Sequence, residues 1–345
     1  MTLDVAVDVR PLDTPHCGGA RYLRELLDAA RRVSPETRFL ERRPPAALGR
    51  SRLGRFSPLP LDRIGGRAEV FLAAGGIVPL FPGSPVVLVL HDLTFETRRR
   101  EHTRTFSLGM SLLARGGIRR ARLVLVPSEA TRRELVRLHP RCESRARVIP
   151  YGVGSAFSAE PESGERERIR RRYDLPESYI LHVGTHEPRK NLPALCRAYL
   201  RTPPAVPPLV FAGATGWGDV RIPSSPRLRR LGPVPEEDLA PLYRGALFLA
   251  YPSLEEGFGF PPLEAMASGC PVLASDRGAI PEVVGEAGLL VGPEEESIER
   301  ALRRLVEDAS LREGLSTAGR ERARRFSWER CARETVRALA DAARG

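Results

Sequence analysis

Lysine is all but missing from this 345-residue chain: Lys190 stands alone against 53 arginines. Where arginine fills every other basic position, one retained ammonium marks a place that needs a compact charge rather than a planar fork. Cysteine is scarce and odd in number. Cys17, Cys142, Cys196, Cys270 and Cys331 share no paired spacing, which excludes a disulfide framework, a zinc finger and a redox motif, and the thiols are expected reduced in a cytoplasm. No Asp-x-Asp pair occurs and no acidic, His or Cys cluster has metal-ligand spacing, so no bound metal ion and no other cofactor is expected. No apolar run reaches the length of a membrane span. The start, with Leu3, Val5, Val7 and Val9 alternating with Asp4 and Asp8, reads as a strand and lacks the form of a secretory signal.

What is present suits a soluble α/β protein: 31 glycines and 32 prolines for many short turns, with 42% hydrophobic residues for a core. The length fits two domains. Charge separates them, because residues 1–172 carry a net +13 and residues 173–345 a net −2. The basic half could attract nucleic acid, an anionic membrane or a phosphorylated acceptor, or it reflects an arginine-rich composition and nothing more.

Apolar runs at Leu3–Val9, Val70–Ala73, Val86–Leu90, Leu123–Val126 and Arg147–Ile149 alternate with helical periods in the first half. One helix is expected from about Ala20, after a turn through Cys17, Gly18 and Gly19. The plan repeats after a polar crossing at Ser158–Arg172, with strands at Tyr179–Val183, Leu209–Ala212, Leu228–Leu231, Leu247–Tyr251, Val272–Ala274 and Leu289–Val291. Two doubly wound parallel-sheet, Rossmann-like domains facing across a cleft are expected, spanning 1–157 and 158–326, with a C-terminal helix at 327–345 completing the first. Arg42–Arg67, rich in Pro, Gly and Arg without a period, reads as a loop.

Two segments carry the chemistry. Residues 255–269, Glu-Glu-Gly-Phe-Gly-Phe-Pro-Pro-Leu-Glu-Ala-Met-Ala-Ser-Gly, follow a buried strand and enter a helix through two glycines and two prolines. Free N–H groups at that helix start would favour a phosphate or a sugar oxygen. Seven residues separate Glu256 in the loop from Glu264, placed in the helix's first turn, so the two carboxylates can address different parts of one ligand, unless Glu264 merely complements the helix dipole. Residues 183–191, Val-Gly-Thr-His-Glu-Pro-Arg-Lys-Asn, put Arg189 and the lone Lys190 beside another helix start, where two cations suit a diphosphate. The plainer alternative is a solvated pair of charges. His91, at the end of an apolar strand, is either a functional group or a satisfied polar one.

Together with Asp8-Val9-Arg10-Pro11-Leu12, Gly18-Gly19, Arg21-Tyr22, His91-Asp92-Leu93-Thr94-Phe95, Pro127-Ser128-Glu129-Ala130-Thr131 and Pro150-Tyr151-Gly152-Val153, these segments resemble the retaining glycosyltransferases of family 4, which have the GT-B fold. The resemblance implies a nucleotide-sugar donor, with Arg189 and Lys190 at its diphosphate, Glu264 at the ribose, and Glu256 with the backbone of Gly257, Phe258, Gly259 and Phe260 at the sugar. His91 would face the sugar from the N-terminal domain, and Gly18 and Gly19 would lie near the diphosphate. Many relatives have arginine where this chain has Thr185, which leaves that duty to Arg189, and Cys17-Gly18-Gly19 departs from the family's usual Gly-Ile-Gly. The Gly-Thr-x-x-Pro-Arg-Lys-Asn form makes GDP-mannose the first donor to test, with a glycan, lipid-linked or small-molecule acceptor.

Three rivals remain, each with its own requirement. A nucleotide-sugar epimerase of the same fold needs acid and base groups at the sugar ring. A pyridoxal-phosphate phosphorylase needs a lysine of its own, and Lys190 is already placed. A basic nucleic-acid-binding protein would show a recognisable module, and none is found. Thr97–Arg122, with eight arginines among Phe106, Leu108, Met110, Leu112 and Leu113, reads as a helix covering the sheet, with a weak peripheral contact to an anionic bilayer as the second reading.

Overall fold

The computed structural model describes residues 2–14, 17–43, 67–98, 101, 104–158, 160–218 and 220–345, the side chains of 104–106 excepted. The chain divides into two compact units: Met1–Gly152 with Ser327–Gly345, and Val153–Phe326.

The first unit is built on six parallel strands, β1 (Leu3–Asp8), β2 (Thr37–Arg42), β3 (Val70–Ala73), β4 (Val86–Val89), β5 (Leu123–Val126) and β6 (Ala146–Val148), in the order β2-β1-β3-β4-β5-β6. β3, β4 and β5 are buried at every residue, as central parallel strands covered on both faces must be. β2 was not visible as an apolar run. Its sequence, Thr-Arg-Phe-Leu-Glu-Arg, is polar but for Phe39 and Leu40 and only its two ends are buried, since it pairs with β1 alone at the sheet's edge. Arg42 therefore ends a strand instead of opening a loop, and 44–66 of that expected loop lie outside the described residues.

Helices α1 (Gly18–Val33), α2 (Arg104–Arg120) and α3 (Glu129–Leu138) cover this sheet. Gly18 and Gly19 are the first residues of α1 rather than a turn before it, and Cys17 caps the helix, its Sγ accepting the N–H of Ala20 at 3.4 Å. Ser128 caps α3 the same way, accepting from Thr131 N at 3.1 Å. The Pro-Ser-Glu-Ala-Thr motif is thus a helix start. The single helix expected over Thr97–Arg122 is two pieces, a turn at Thr94–Thr97 and α2. α2 turns Ser107, Ser111, Ala114 and Ile118 inward, and Ala114 and Ile118 join the core with Phe71, Leu88 and Val124.

The final helix, Trp328–Arg344, returns to this unit and packs on α1 through a face that includes Cys331, Ala332, Thr335 and Leu339, all buried. The return is tight at Gly152. A Cβ there would lie 2.2 Å from the Trp328 nitrogen and 2.6 Å from the Ser327 carbonyl carbon, so only glycine fits. Tyr151 stacks on Trp328 at 6.0 Å, and Tyr22 packs against both.

The second unit repeats the design with β7 (Ile180–Val183), β8 (Leu209–Ala212), β9 (Leu228–Gly232), β10 (Phe248–Tyr251), β11 (Val272–Ser275) and β12 (Leu289–Val291), all parallel in the order β12-β11-β10-β7-β8-β9. Its helices are α4 (Glu165–Tyr173), α5 (Leu192–Leu200), α6 (Glu236–Gly245), α7 (Phe260–Ala267), α8 (Ile280–Val284), α9 (Glu295–Glu307) and α10 (Ala309–Ala323). The strand order reverses between β7 and β10, and ligands of open parallel sheets bind beyond the carboxyl ends at such a switch point. The two chemical segments singled out above follow those two strands.

Candidate functional site

β7 ends in Gly184, whose φ of +146° suits glycine, and the chain then bridges to Thr215 at His186 before a tight 3₁₀ turn over Pro188–Lys190. Asn191 takes the left-handed conformation at φ +57° and donates from Nδ2 to the Pro293 carbonyl at 2.8 Å, so α5 begins at Leu192. Beyond β10 the next loop is tied to this turn by Leu254 N donating to Arg189 O at 2.7 Å. Ala279 N donates to Glu256 O, and Gly278, at φ +59°, lets the chain pass where a Cβ would lie 2.8 Å from the Glu256 backbone. Two loops from separate strands are thereby fixed to each other.

Their side chains meet at one carboxylate. Lys190 Nζ lies 2.6 Å from Glu256 Oε1 and 2.6 Å from Tyr251 Oη, which itself donates to the same Oε1 at 2.8 Å. Arg189 Nη1 pairs with Glu256 Oε2 at 2.5 Å, while its Nε pairs with Glu187 Oε2 at 2.8 Å. Burial alone would raise the Glu256 carboxyl, but Arg189 and Lys190 prevail and hold it down to about 2. Burial, with Arg189 beside it, lowers the Lys190 ammonium against the opposing pull of Glu256, and burial raises the carboxyl of Glu187 despite Arg189.

The lone lysine has a geometric reason. Its ammonium is buried over the Tyr251 ring, 4.9 Å from the centroid, and a Cβ on Gly184 would come within 3.4 Å of its Cε. A guanidinium is too wide for that slot. The position is also a correction: Lys190 is an interior group that supports Glu256, not a solvated cation on an open surface.

Glu264 lies in the second turn of α7, not its first, where it is buried and accepts from Tyr243 Oη at 3.0 Å. It is therefore placed to fix α7 against α6 rather than to complement a dipole. The start of α7 offers fewer donors than expected, since Pro261 and Pro262 have no N–H and Leu263 N is taken by Gly259 O. Gly257 is buried, and Gly259 sits at φ +107° where a Cβ would meet Ile280 Cδ1 at 2.8 Å. Phe258 is a packing residue, buried against Phe260 and Phe326; Phe260 opens the helix half-buried.

Sequence reasoning missed Tyr251 and His182. Both were legible as polar groups in otherwise apolar strands. His182 is fully buried, stacked on Tyr251 at 5.7 Å with Nδ1 2.9 Å from the Ala250 carbonyl, and burial lowers it to about 3. Its Nε2, like Ser253 Oγ and His186 Nε2, is buried without a hydrogen-bond partner among the described residues.

In the first unit, His91 follows β4 and is half-buried. Its Nδ1 lies 2.7 Å from Tyr151 Oη and its Nε2 3.2 Å from the Ala74 carbonyl. A carbonyl only accepts, so Nε2 carries the proton and Nδ1 accepts from the tyrosine, a pattern that suits the neutral ring. Burial lowers its pKa in the same sense. A Cβ on Gly19 would come 3.4 Å from Nε2, which brings Gly19 and His91 together within the unit. Asp92 Oδ1 accepts from Thr94 N and Oγ1, so the rest of that motif shapes the backbone.

Residues 5–156 match the profile described as Glycosyltransferase Family 4, and residues 177–308 match Glycosyl transferases group 1. O-antigen chain mannosyltransferase B of Escherichia coli is 34% identical over 265 residues, covering 73% of this chain and 69% of that protein. The chain belongs to glycosyltransferase family 4. Within the family, D-inositol 3-phosphate glycosyltransferase of Nocardioides is 31% identical over 63% of this chain and 53% of its own, and the E. coli serotype-specific mannosyltransferase WbdA is 30% identical over 61% of this chain but only 27% of its own length. The transferase fold matches that of Anabaena HepE, solved with UDP and glucose, with a TM-score of 0.76 at 17% identity over 98% of this chain and 100% of that one. Two parallel six-stranded sheets are the framework of the GT-B glycosyltransferases, and the enzyme has them.

Proposed function

We propose that this transferase moves a mannosyl residue from GDP-mannose to a glycan, lipid-linked or small-molecule acceptor, with retention and without a metal ion. The observation that carries the reading is the pair Arg189 and Lys190, set on one turn at the β7/β10 switch point and gathered by Glu256. Cations fixed in place before the donor arrives stabilise a departing diphosphate without reorganisation. The mannosyltransferase relatives support the choice of sugar. In the proposed step the bond from the anomeric carbon to the phosphate oxygen breaks, its electron pair leaving with the diphosphate. A bond to the acceptor oxygen forms on the same face, and the acceptor's proton passes to the departing phosphate. Glu256 orients the donor, Glu264 takes the ribose hydroxyls, and the backbone of Gly257 to Phe260 lines the sugar; His91 is assigned to the sugar as a neutral ring, and Gly18 and Gly19 to the diphosphate. A thermal-shift panel of nucleotide-sugars tests the donor, because a ligand of the folded state raises its stability. GDP-mannose should stabilise most; a larger shift with a UDP-sugar overturns the assignment. Turnover in excess EDTA tests the metal-free step, and loss of activity restored by magnesium overturns it.

The same proposal includes a weak contact with an anionic bilayer. No helix among the described residues is long and apolar enough to cross a membrane. On α2, however, Leu108 and Leu112 are 64% and 61% exposed and share a stripe with the exposed Arg115 and Arg119. Leu80 and Phe81, also exposed, lie in the loop whose Val78 touches α2 at Gly117 and Arg120. Helix α2 thus covers the sheet with one face and shows leucine and arginine on the other. Arg98 is paired with Glu101, so Leu108 and Leu112, not Arg98, are the residues to change. In sedimentation with phosphatidylserine vesicles at low salt, Leu108→Ser/Leu112→Ser should release the protein. Equal binding by the variant overturns the contact.

A further inference from the structure

A cavity of about 290 Å³ lies in the second unit, and its lining includes none of Arg189, Lys190, Tyr251, Glu256 and Glu264. Its lining includes Tyr179, which directly precedes β7, Gly245, which ends α6 ahead of β10, and Gly269, which precedes β11. These are amino-terminal strand ends. Gly184, Lys190 and Glu256 follow the carboxyl ends of β7 and β10, so cavity and switch point occupy opposite poles of one parallel sheet.

Four arginines reach this cavity: Arg166 and Arg170 from successive turns of α4, Arg244 from α6 and Arg320 from α10. Arg244 is neutralised by Glu165, with Nε 2.7 Å from Oε1 and Nη2 2.5 Å from Oε2. The other three meet no carboxylate among the described residues. Arg166 donates to the Glu177 carbonyl at 3.2 Å and Arg320 to the hydroxyls of Ser316 and Thr317, while Arg170 Nε is buried without an acceptor. The cavity wall also holds Ser268, 3% exposed, whose Oγ has no partner. Buried polar atoms are nearly always satisfied. Three guanidinium groups without a carboxylate partner among the described residues thus line one hollow, Arg166 at its exposed edge, and the Ser268 hydroxyl lies buried in its wall.

The chemistry of that ligand follows from the lining. Guanidinium forks match phosphate oxygens bidentately. Ile169, Tyr179 and Pro241 supply an apolar wall, and the volume suits a small metabolite but is tight for a nucleotide. We propose that this cavity is a second ligand site of the transferase, which binds the phosphate monoester of a small metabolite. Ser268 directly follows α7, the helix that carries Glu264 and whose other end is capped by Gly259. An occupant thus rests against the far end of the helix assigned above to donor binding; the binding itself does not depend on that assignment.

Isothermal titration at low salt with glucose 6-phosphate as probe and glucose as the uncharged control tests the site. One equivalent of glucose 6-phosphate should bind to the full chain and glucose should not. Affinity should fall at least tenfold in Arg170→Gln/Arg320→Gln and stay unchanged in Arg189→Gln, whose substitution is at the opposite pole. Should the double variant fail to fold, Arg320→Gln alone serves, because the side-chain hydrogen bonds of Arg320 among the described residues stay within its own helix. No binding to the wild-type chain, equal binding of glucose, undiminished binding by the Arg320 variants, or loss in Arg189→Gln each overturns the proposal.

Discussion

The two units carry their charge in opposite ways. The first has nearly all the net positive charge, yet many of its arginines, such as Arg31, Arg32 and Arg43, are about half exposed and paired with exposed carboxylates. The second is close to neutral, and there Arg189 and Lys190 are drawn in against a buried carboxylate whose own pKa is held down to about 2. Net charge therefore points away from the unit that holds the cations proposed for the donor diphosphate. Exposed ion pairs are screened and add little, whereas a buried, hydrogen-bonded cluster has its energy fixed by geometry.

Removing the centre of that cluster should break the contrast most visibly. Lys190→Ala leaves Glu256 buried with one cation fewer, so transfer should disappear in a product assay and the folded state should lose about 3 kcal/mol or more in urea. Lys190→Arg should be impaired too, since Gly184 limits the space; full activity in that variant would refute the argument from the single lysine.

The next effect is on pH dependence and centres on His182. Its folded pKa of about 3 lies below its ordinary 6.5, so between those values the unfolded chain binds a proton that the folded chain does not. Stability is complete above pH 6.5 and falls as pH drops toward 3, by roughly 4 kcal/mol. His182→Phe should abolish that loss in urea melts at pH 7 and pH 4; an unchanged difference between the two would mean that His182 is not the group responsible. Glu256 acts lower on the scale, from its ordinary 4.5 to about 2, so its contribution of about 3 kcal/mol is present above pH 4.5 and fades below it. Glu256→Gln should be less stable at pH 7 but flatter below pH 4.5. The first unit supplies the smallest effect: Arg32→Ala breaks an exposed pair with Glu329 and should cost less than about 0.5 kcal/mol, with no change in turnover. A loss above 1 kcal/mol would make the two units more alike than their geometry says.

Much of the framework was legible in the chain because central parallel strands are buried on both faces and show as unbroken apolar runs, from Val70–Ala73 to Phe248–Tyr251. β2 escaped because an edge strand keeps its polar residues. The expected helix over Thr97–Arg122 was too long, as its charges hid the helical end at Arg98. At the site, glycine positions were readable but the partners of Lys190 were not. Tyr251 is 61 residues away along the chain, and only the β7/β10 pairing brings it there. Whether a cation is buried depends on what another strand delivers to it, and local pattern does not contain that.

Gly152 and the helix that ends the chain set an order of assembly. Because Trp328–Arg344 packs on α1, the unit whose strands are synthesised first lacks a wall until that helix has left the ribosome. The unit from Val153 to Phe326, begun later, has all its parts sooner. During translation the second-made unit can finish first, while the first waits with the Tyr22 and Tyr151 rings uncovered on the side Trp328 will fill. A stop codon at 328 would spare one unit whole and leave the other incomplete.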